Sequence, residues 1–565
     1  MCPQISALQQ ERAAYHPKLP SSLRSGKIRA ALGEPTEPAT DREAIRELFP
    51  HTYGQPLVTF REGKGQMDAG PMRVGVVLSG GQAPGGHNVI AGLYDALIAG
   101  NANSKLFGFL KGPGGVIQGK YIELTADIIE PYRNTGGFDM IRSGRDKIET
   151  PDEKARCKEA LERLGLDGLV IIGGDDSNTN AAVLAEYLKA EGAKTSVVGV
   201  PKTIDGDMKN EIIETSFGFD TAARVYSELI GNVARDARSA VKYWHFIRLM
   251  GRAASHVALE CALQTHPNVT LISEEVAAKH LTLQQIVNSV VDVIVRRAAE
   301  GRNYGIVVVP EGLIEFVDEI RNLINELSVI LGRDEEYIES LPHRSERLQY
   351  LETRLSDHSG RGYGSLPGAI QEVLLKRDKH GNVLLSQVET ERLLVELVEE
   401  RIGLLKMRGR TKAAFVPLTH FFGYEGRCAA PSNFDADYCY SLGFAAAQLV
   451  RTGLTGYTAS VTNLTRPHEE WVAGGVPVTM MLNMEDRKGK PTPVIRKALV
   501  ELEGNPFKTF SSQRDEWAIN DSYVYPGPIQ YFGPREVCDA PTLTLALERT
   551  GLEKSEPEDT TLESR

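Results

Sequence analysis

Gly173-Gly174-Asp175-Asp176-Ser177-Asn178 follows directly on the apolar run Leu169-Val170-Ile171-Ile172. A buried strand that opens into two glycines and two adjacent carboxylates carries the groups that a phosphate and Mg2+ site needs. Glycines let the backbone approach a polyanion closely. A carboxylate facing that polyanion is repelled unless a cation lies between them, and Mg2+ typically takes one or two carboxylates plus substrate phosphates. The second carboxylate adds charge and bulk where a long nucleotide would lie. The alternative for the pair is plain helix capping, since acids favour the positive end of a helix dipole.

Downstream, Pro201-Lys202-Thr203-Ile204-Asp205-Gly206-Asp207 puts a cation, a hydroxyl and two carboxylates just after the apolar run Ser196–Val200. Phosphoryl transfer to an alcohol uses such groups: a carboxylate accepts the hydroxyl proton, and a cation stabilises charge on the transferring group. If this stretch is extended, Thr203, Asp205 and Asp207 share a face, and Lys202 joins them only if the chain bends. The competing reading is an Asp-Gly turn with solvated charges.

Other segments fit an anionic, hydroxylated substrate. Ser79-Gly80-Gly81 opens a glycine-rich loop, Gly80–Asn88, between a strand and a helix, a place where backbone N–H groups favour phosphate; a tight structural turn explains it as well. Its spacing does not meet the G-x-G-x-x-G dinucleotide pattern. Met250-Gly251-Arg252, Pro310-Glu311-Gly312 and Gly423-Tyr424-Glu425-Gly426-Arg427 place arginines and a glutamate at loop starts. Arginine there suits bidentate binding of a phosphate, although each residue alone also fits a surface ion pair. Gly114-x4-Gly119-Lys120 imitates a Walker A loop, but Tyr121 stands where Ser or Thr must hold Mg2+. His87, His245 and His256 have no zinc-like spacing and read as packing residues.

These loops need a scaffold. Apolar strand-like runs at Val74–Leu78, Leu169–Ile172, Ser196–Val200 and Gly305–Val309 alternate with helical patterns. Among these, Asn180–Ala190 forms a helix behind a loop Gly173–Thr179, and another helix opens at a capping box, Thr282-x-x-Gln285. The alternation predicts an α/β chain with parallel sheets covered by helices on both faces. In such sheets ligands bind at the carboxyl ends of the strands, where every loop above lies. Residues 316–410 read as a largely helical insertion serving as a cap or an interface. Residues 1–70 read as an extension that packs on the main body or mediates assembly, and the chain from about 555 reads as an acidic, disordered tail.

The 565 residues allow two or three domains, and 41% apolar with 25% charged residues is an ordinary globular composition. A formal charge of −11 disfavours a nucleic-acid groove. No apolar run approaches the ~20 residues of a membrane span. No secretory signal is evident, and six scattered cysteines without a CxxC pair suggest reduced thiols and no zinc. A soluble, cytoplasmic protein is expected.

Taken in order, these motifs resemble those of the phosphofructokinases, from about Val74 to about Pro534. The length, insertion and extension are similar to the long, pyrophosphate-dependent form, as in the catalytic beta subunit of the plant-type enzyme. The resemblance implies two similar three-layer α/β/α domains with mainly parallel sheets. Residues 71–216, completed by roughly 428–460, would form the phosphoryl-donor domain. Residues 217–427 would form the sugar-phosphate domain, and 461–565 would pack on that second domain. It further implies that the partners are fructose 6-phosphate and pyrophosphate, that Mg2+ is the cofactor, and that the chain assembles as a homodimer or higher oligomer, with a related regulatory alpha subunit as an option.

By the same resemblance, Asp205 accepts the proton of the sugar 1-hydroxyl, with Thr203, Ile204 and Asp207 beside it. Gly80, Gly81, Lys202 and Arg145 meet the diphosphate, and Asp175 holds the metal. Met250, Gly251, Arg252, Glu311, Tyr424, Glu425, Gly426 and Arg427 bind the sugar phosphate, and Lys242 and Tyr243 reach it across a subunit boundary. Asp176 and Lys202 stand where ATP-using relatives typically have glycine, and so would select the short donor. Tyr424 replaces a histidine of the bacterial ATP type. Two rivals remain: an ATP-dependent kinase of the same fold, and a regulatory subunit that binds sugar phosphates without catalysis.

Overall fold

In the computed structural model, residues 6–24, 28–63, 70–376, 388–487 and 490–550 are described. The acidic tail expected from about 555 lies outside them. The chain forms two units. The first comprises Met1–Val225, Tyr424–Ala498 and Ile529–Arg565, and the second Tyr226–Gly423 and Leu499–Pro528.

Strands are numbered along the chain. β1 (Ile28–Pro35) and β2 (Pro56–Glu62) come from the N-terminal extension. β3 (Arg73–Ser79), β4 (Lys105–Phe109), β5 (Tyr121–Leu124), β6 (Ser143–Gly144), β7 (Gly168–Gly173) and β8 (Ser196–Pro201) follow. β9 (Tyr243–Leu249), β10 (Val269–Thr270), β11 (Tyr304–Pro310) and β12 (Pro417–Phe422) belong to the second unit, and β13 (Tyr457–Thr462) and β14 (Val472–Pro477) return to the first.

The first unit holds a ten-stranded sheet in the order β1-β2-β14-β13-β8-β7-β3-β4-β5, with β6 beside the end of β3. Its middle, from β13 through β8, β7 and β3 to β4, is parallel. β7 and β8 are buried at every residue, as unbroken Val/Ile runs in a covered parallel sheet must be. The extension does more than pack on the body: β2 pairs with β14 and β1 with β2, extending the sheet by antiparallel strands. It is also pinned to the helix Asp175–Ala190. On that helix the nearly buried Glu186 accepts hydrogen bonds from His51 N (2.9 Å) and Thr52 Oγ1 (2.7 Å).

The second unit is built on a parallel four-stranded sheet, β10-β11-β9-β12. Among its described residues the insertion over 316–410 is largely helical, as expected, with Asp318–Ser340 and Thr390–Met407 the longest helices. It is not a mere cap. Leu323, Leu327, Leu394 and Val398 lie in one core cluster with Trp244, Phe246, Val307 and Val309 of the sheet, because its spaced apolar residues find the sheet face to bury them.

The expected placement of 461–565 on the second domain is corrected. β14 is hydrogen-bonded between β13 and β2, so that part belongs to the first unit, and only Leu499–Pro528 joins the second. The Walker-like stretch spans a short helix, Pro113–Ile117, and its exit into β5. Lys120 therefore does not open a helix, and no phosphate loop forms there.

Glu186→Ala should strand the buried Thr52 hydroxyl and loosen the extension. A loss of about 1–3 kcal/mol is expected, read as a lower midpoint of urea unfolding with little change in the spectrum of the folded protein.

Candidate active site

The charged motifs of the first unit converge at the carboxyl ends of β3, β7 and β8. Packing of the helix Asp175–Ala190 fixes the geometry: Ala181, Leu184, Ala185 and Leu188 join Val77, Ile171 and Val197 of the sheet in one cluster. The buried Asn178 of this helix ties the strand ends together. Its Nδ2 donates to Gly173 O (2.6 Å), Gly174 O (2.9 Å) and Val200 O (3.3 Å), and its Oδ1 accepts from Thr458 Oγ1 (3.0 Å). Ser177 Oγ donates to Ser79 Oγ at 2.8 Å, which links this helix to the end of β3.

The helix begins at Asp175, not at Asn180, and this divides the two acids. Successive helical residues are about 100° apart around the axis. Asp175 turns inward, its side chain 24% exposed, and its Oδ2 lies 3.4 Å from Lys497 Nζ. Asp176 turns outward, 52% exposed, and its Oδ1 lies 3.7 Å from Lys147 Nζ. Both occupy the first turn, so the helix dipole favours them as the capping alternative held. The N-cap itself is Gly174, which has no side chain to cap with.

Thr203–Asp207 is not extended. Gly206 has φ +72°, Asp205 N donates to Thr203 Oγ1 at 3.1 Å, and Ser216 Oγ donates to Thr203 O at 2.9 Å. A short hydroxyl–backbone turn competes successfully with the strand once β8 ends. The bend lets Lys202 turn back over the glycine loop. A methyl group on Gly80 would lie 3.6 Å from Lys202 Nζ, and one on Gly81 would lie 3.6 Å from an Arg427 guanidinium nitrogen. Two cations from distant parts of the chain thus sit over adjacent glycines. Gly80 N donates to Gly144 O at 2.8 Å; Arg145, next along, is exposed. Arg427 also lies over the Tyr424 ring, 5.3 Å from its centroid, and its Nε is buried without an acceptor among the described residues.

Burial pushes the Lys202 ammonium down to about 8, with Asp205 and Asp175 holding it up and Arg427 pressing it lower. It is still a cation at neutral pH. Burial, reinforced by Asp205, pushes the Asp207 carboxyl up to about 7, while Lys497 works the other way. Lys497 bridges the cluster, 3.4 Å from Asp175 and 3.8 Å from Asp207. Burial opposes its charge, but Asp175 and Asp207 outweigh burial and its pKa is raised. Two carboxylates thus face one cation position.

The remaining predicted residues lie in the second unit, apart from Tyr424, Glu425 and Gly426, which with Arg427 form a short helix of the first. Gly251 N donates to Glu311 Oε2 at 3.1 Å, and Met250 N to Phe422 O at 3.0 Å. A methyl on Gly312 would meet Arg252 O at 1.9 Å, so only glycine allows the Met250–Arg252 and Glu311–Gly312 turns to nest. Arg252 is exposed. Lys242 precedes and Tyr243 opens β9, whereas Met250–Arg252 follow its other end, about 20 Å away along a seven-residue strand. Lys242 Nζ lies over the Tyr243 ring at 4.7 Å. These two groups do not gather within one chain.

Lys497, Lys147 and the organising role of Asn178 escaped the sequence reading. Asn178 stood inside a quoted motif. Lys497 lies in Val494-Ile495-Arg496-Lys497, which has no recognisable spacing to the other acids.

The phosphofructokinase family pattern matches residues 73–346. Pyrophosphate--fructose 6-phosphate 1-phosphotransferase of Porphyromonas gingivalis is 54% identical over 545 residues, covering 96% of this chain and 99% of that protein. Subunit beta 2 of the enzyme of the same name in Arabidopsis thaliana is 51% identical over 550 residues, covering 96% and 94%. A crystal structure titled pyrophosphate-dependent phosphofructokinase, from Nitrosospira multiformis, has the same fold, with TM-score 0.52, 16% identity, and 80% and 93% of the two chains covered.

The folded chain holds a proton on Asp207 up to about 7, where an unfolded aspartate releases it near ~4. Stability from this group is full below ~4 and is lost as pH rises through 7. Asp207→Asn has no such loss. Its melting temperature relative to the parent should therefore rise between pH 5 and pH 8; the same difference at both pH values would contradict the buried-carboxyl argument.

Proposed function

The chain belongs to the phosphofructokinase family, and we propose that the charged cluster of its first unit is the phosphoryl-donor half of the active site. The enzyme transfers a phosphoryl group reversibly from pyrophosphate to the 1-hydroxyl of D-fructose 6-phosphate, giving fructose 1,6-bisphosphate and phosphate. Pyrophosphate and the product ester have comparable transfer potential, which makes a step usable in glycolysis and in gluconeogenesis.

The observation that carries this reading is the pair of cations, Lys202 and Arg427, over Gly80 and Gly81. Such an array binds a compact polyanion and stabilises charge that develops on the transferring group. Lys202 is the residue assigned to pyrophosphate, with Gly80 and Gly81 leaving room for it and Arg145 as an outer contact. Asp205, next to Lys202 and Asp207 in the bend, accepts the proton of the sugar hydroxyl as the bond to phosphorus forms. Thr203 and Ile204 shape that bend. By the family resemblance, Met250, Gly251, Arg252, Glu311, Tyr424, Glu425, Gly426 and Arg427 are assigned to the sugar phosphate.

Asp175 and Asp207 both face a single cation position, and two carboxylates there suit Mg2+. Among the described residues no three His, Cys, Asp or Glu side chains close a metal cage, so donor oxygens would complete the coordination. Bound there, Mg2+ neutralises donor oxygens.

Asp176 is the proposed donor filter. It projects from the outer side of the helix N-terminus and adds charge where the α-phosphate of a nucleotide would run. Lys242 and Tyr243, at the far end of β9, are proposed to serve the site of a neighbouring copy, which makes the active assembly a homodimer or a larger oligomer; a related alpha subunit is a further partner. Among the described residues no helix is long and apolar enough to cross a membrane, and a cytoplasmic location is proposed.

The purified chain should turn over with pyrophosphate and prefer it to ATP by orders of magnitude; the reverse preference would overturn the donor assignment. Asp205→Ala should lower kcat by about 10²–10⁴-fold, the range for general-base loss, with an unchanged circular dichroism spectrum. Asp176→Gly should narrow the discrimination against ATP. Unchanged discrimination would remove Asp176 as the filter.

A further inference from the structure

Lys497 is the one member of the cluster that no motif announces, and it has a built position. Val494 and Ile495 are buried, each 3% exposed. Ile495 N donates to Thr179 Oγ1 (3.2 Å), on the helix that carries Asp175, and Ala498 N donates to Asp207 O (2.8 Å). The backbone on both sides of Lys497 is therefore fastened to the elements that carry the two acids it bridges. A lysine that only covered surface would need neither bond. Its ammonium takes the position that two carboxylates share, 3.4 and 3.8 Å away, and it is a compact, strongly hydrated point charge on a flexible stem.

We infer that Lys497 is a stand-in cation: it occupies the Asp175–Asp207 position until metal arrives with the phosphoryl donor, and then withdraws. This rests on the assignment of Asp175 and Asp207 to the metal and goes beyond it. Two acids left unpaired in a half-buried place repel each other and hold a poor geometry. With Lys497 in place the two acids stay aligned around one cation. The same ammonium competes with bare divalent metal. A metal–pyrophosphate complex offers more, because its donor oxygens bind Lys202 and Arg427 at the same time. Lys497 thereby favours entry of the metal as the pyrophosphate complex over entry of the free ion. It is a positioning residue, since it acts through Asp175 and Asp207.

The test uses the full chain and Mn2+ alone, without pyrophosphate or sugar, with binding read by the electron paramagnetic resonance of free Mn2+. Lys497→Met should bind Mn2+ at least roughly tenfold more tightly than the parent, as expected when a cation is removed from a desolvated carboxylate pair, and Lys497→Arg should stay near the parent. Equal or weaker Mn2+ binding by Lys497→Met, or no binding by either protein, would overturn the inference. A second readout needs no variant. In the parent chain, saturating Mn2+ should raise the rate at which acetic anhydride acetylates Lys497, followed by mass spectrometry, because the amine is released. An unchanged rate would equally overturn it. Neither readout depends on turnover, so failure here is distinguishable from failure of the donor assignment, which the pyrophosphate-against-ATP assay decides.

Discussion

Charge that is taken out of water must be balanced nearby, and this constraint organises the first unit. Asp175, Asp205 and Asp207 meet at the ends of β7 and β8, where like charges repel one another and Asp207 is buried. The rise of Asp207 to about 7 is the visible residue of that conflict. Lys202, Arg427 and Lys497 offset it, each delivered from a different stretch of chain. The bend after β8 returns Lys202 over Gly80. The short helix Tyr424–Arg427 brings a guanidinium to Gly81. The strap after Ile495 brings Lys497 to the two acids. The cations do not cancel the carboxylates so fully that nothing is left for a ligand: Lys202 and Arg427 face the glycine loop and each other. In the proposed reading, a donor anion completes the balance there.

Helix register separates two carboxylates that look equivalent on paper. Starting the helix at Asp175 sends that side chain toward Lys497 and the next one toward Lys147 and solvent. In the proposed roles, the inner acid serves metal and the outer one shapes the path of a longer donor. A register one residue later would turn Asp176 inward in place of Asp175, so the backbone bonds that Asn178 makes to Gly173, Gly174 and Val200 are as consequential as the acids themselves.

In the second unit the demand is for rigid turns rather than charge balance. Nesting of Arg252 against Gly312, with Glu311 accepting from Gly251, presents an exposed arginine on a backbone that cannot shift freely. The helical insertion shares the core of that sheet, so its removal would uncover Trp244 and Phe246. β9 carries assigned phosphate-binding residues at both of its ends, about 20 Å apart, and a strand cannot fold back to join them. In the proposed reading, this separation calls for assembly of copies.

Much was legible in the chain itself. Buried parallel strands announce themselves as continuous Val/Ile runs, and the polar loops must lie at their carboxyl ends, because only there does backbone leave the sheet toward ligand. Gly-Gly-Asp-Asp and Lys-Thr-Ile-Asp-Gly-Asp therefore declared their place, at the ends of β7 and β8. Local patterns could not decide which way each group turns. The Thr203 hydroxyl bends a stretch that strand periodicity would keep straight, and a helix start five residues earlier than periodicity suggested divides Asp175 from Asp176. Nor could they decide partnership across hundreds of residues. Lys497 reaches Asp175, and Arg427 reaches Gly81, only because sheet order and helix packing bring distant segments to one place. Sequence determined the element types and the inventory of charges, since these follow from neighbouring residues. Tertiary structure alone decided how the charges are paired, since pairing depends on which surfaces are buried together.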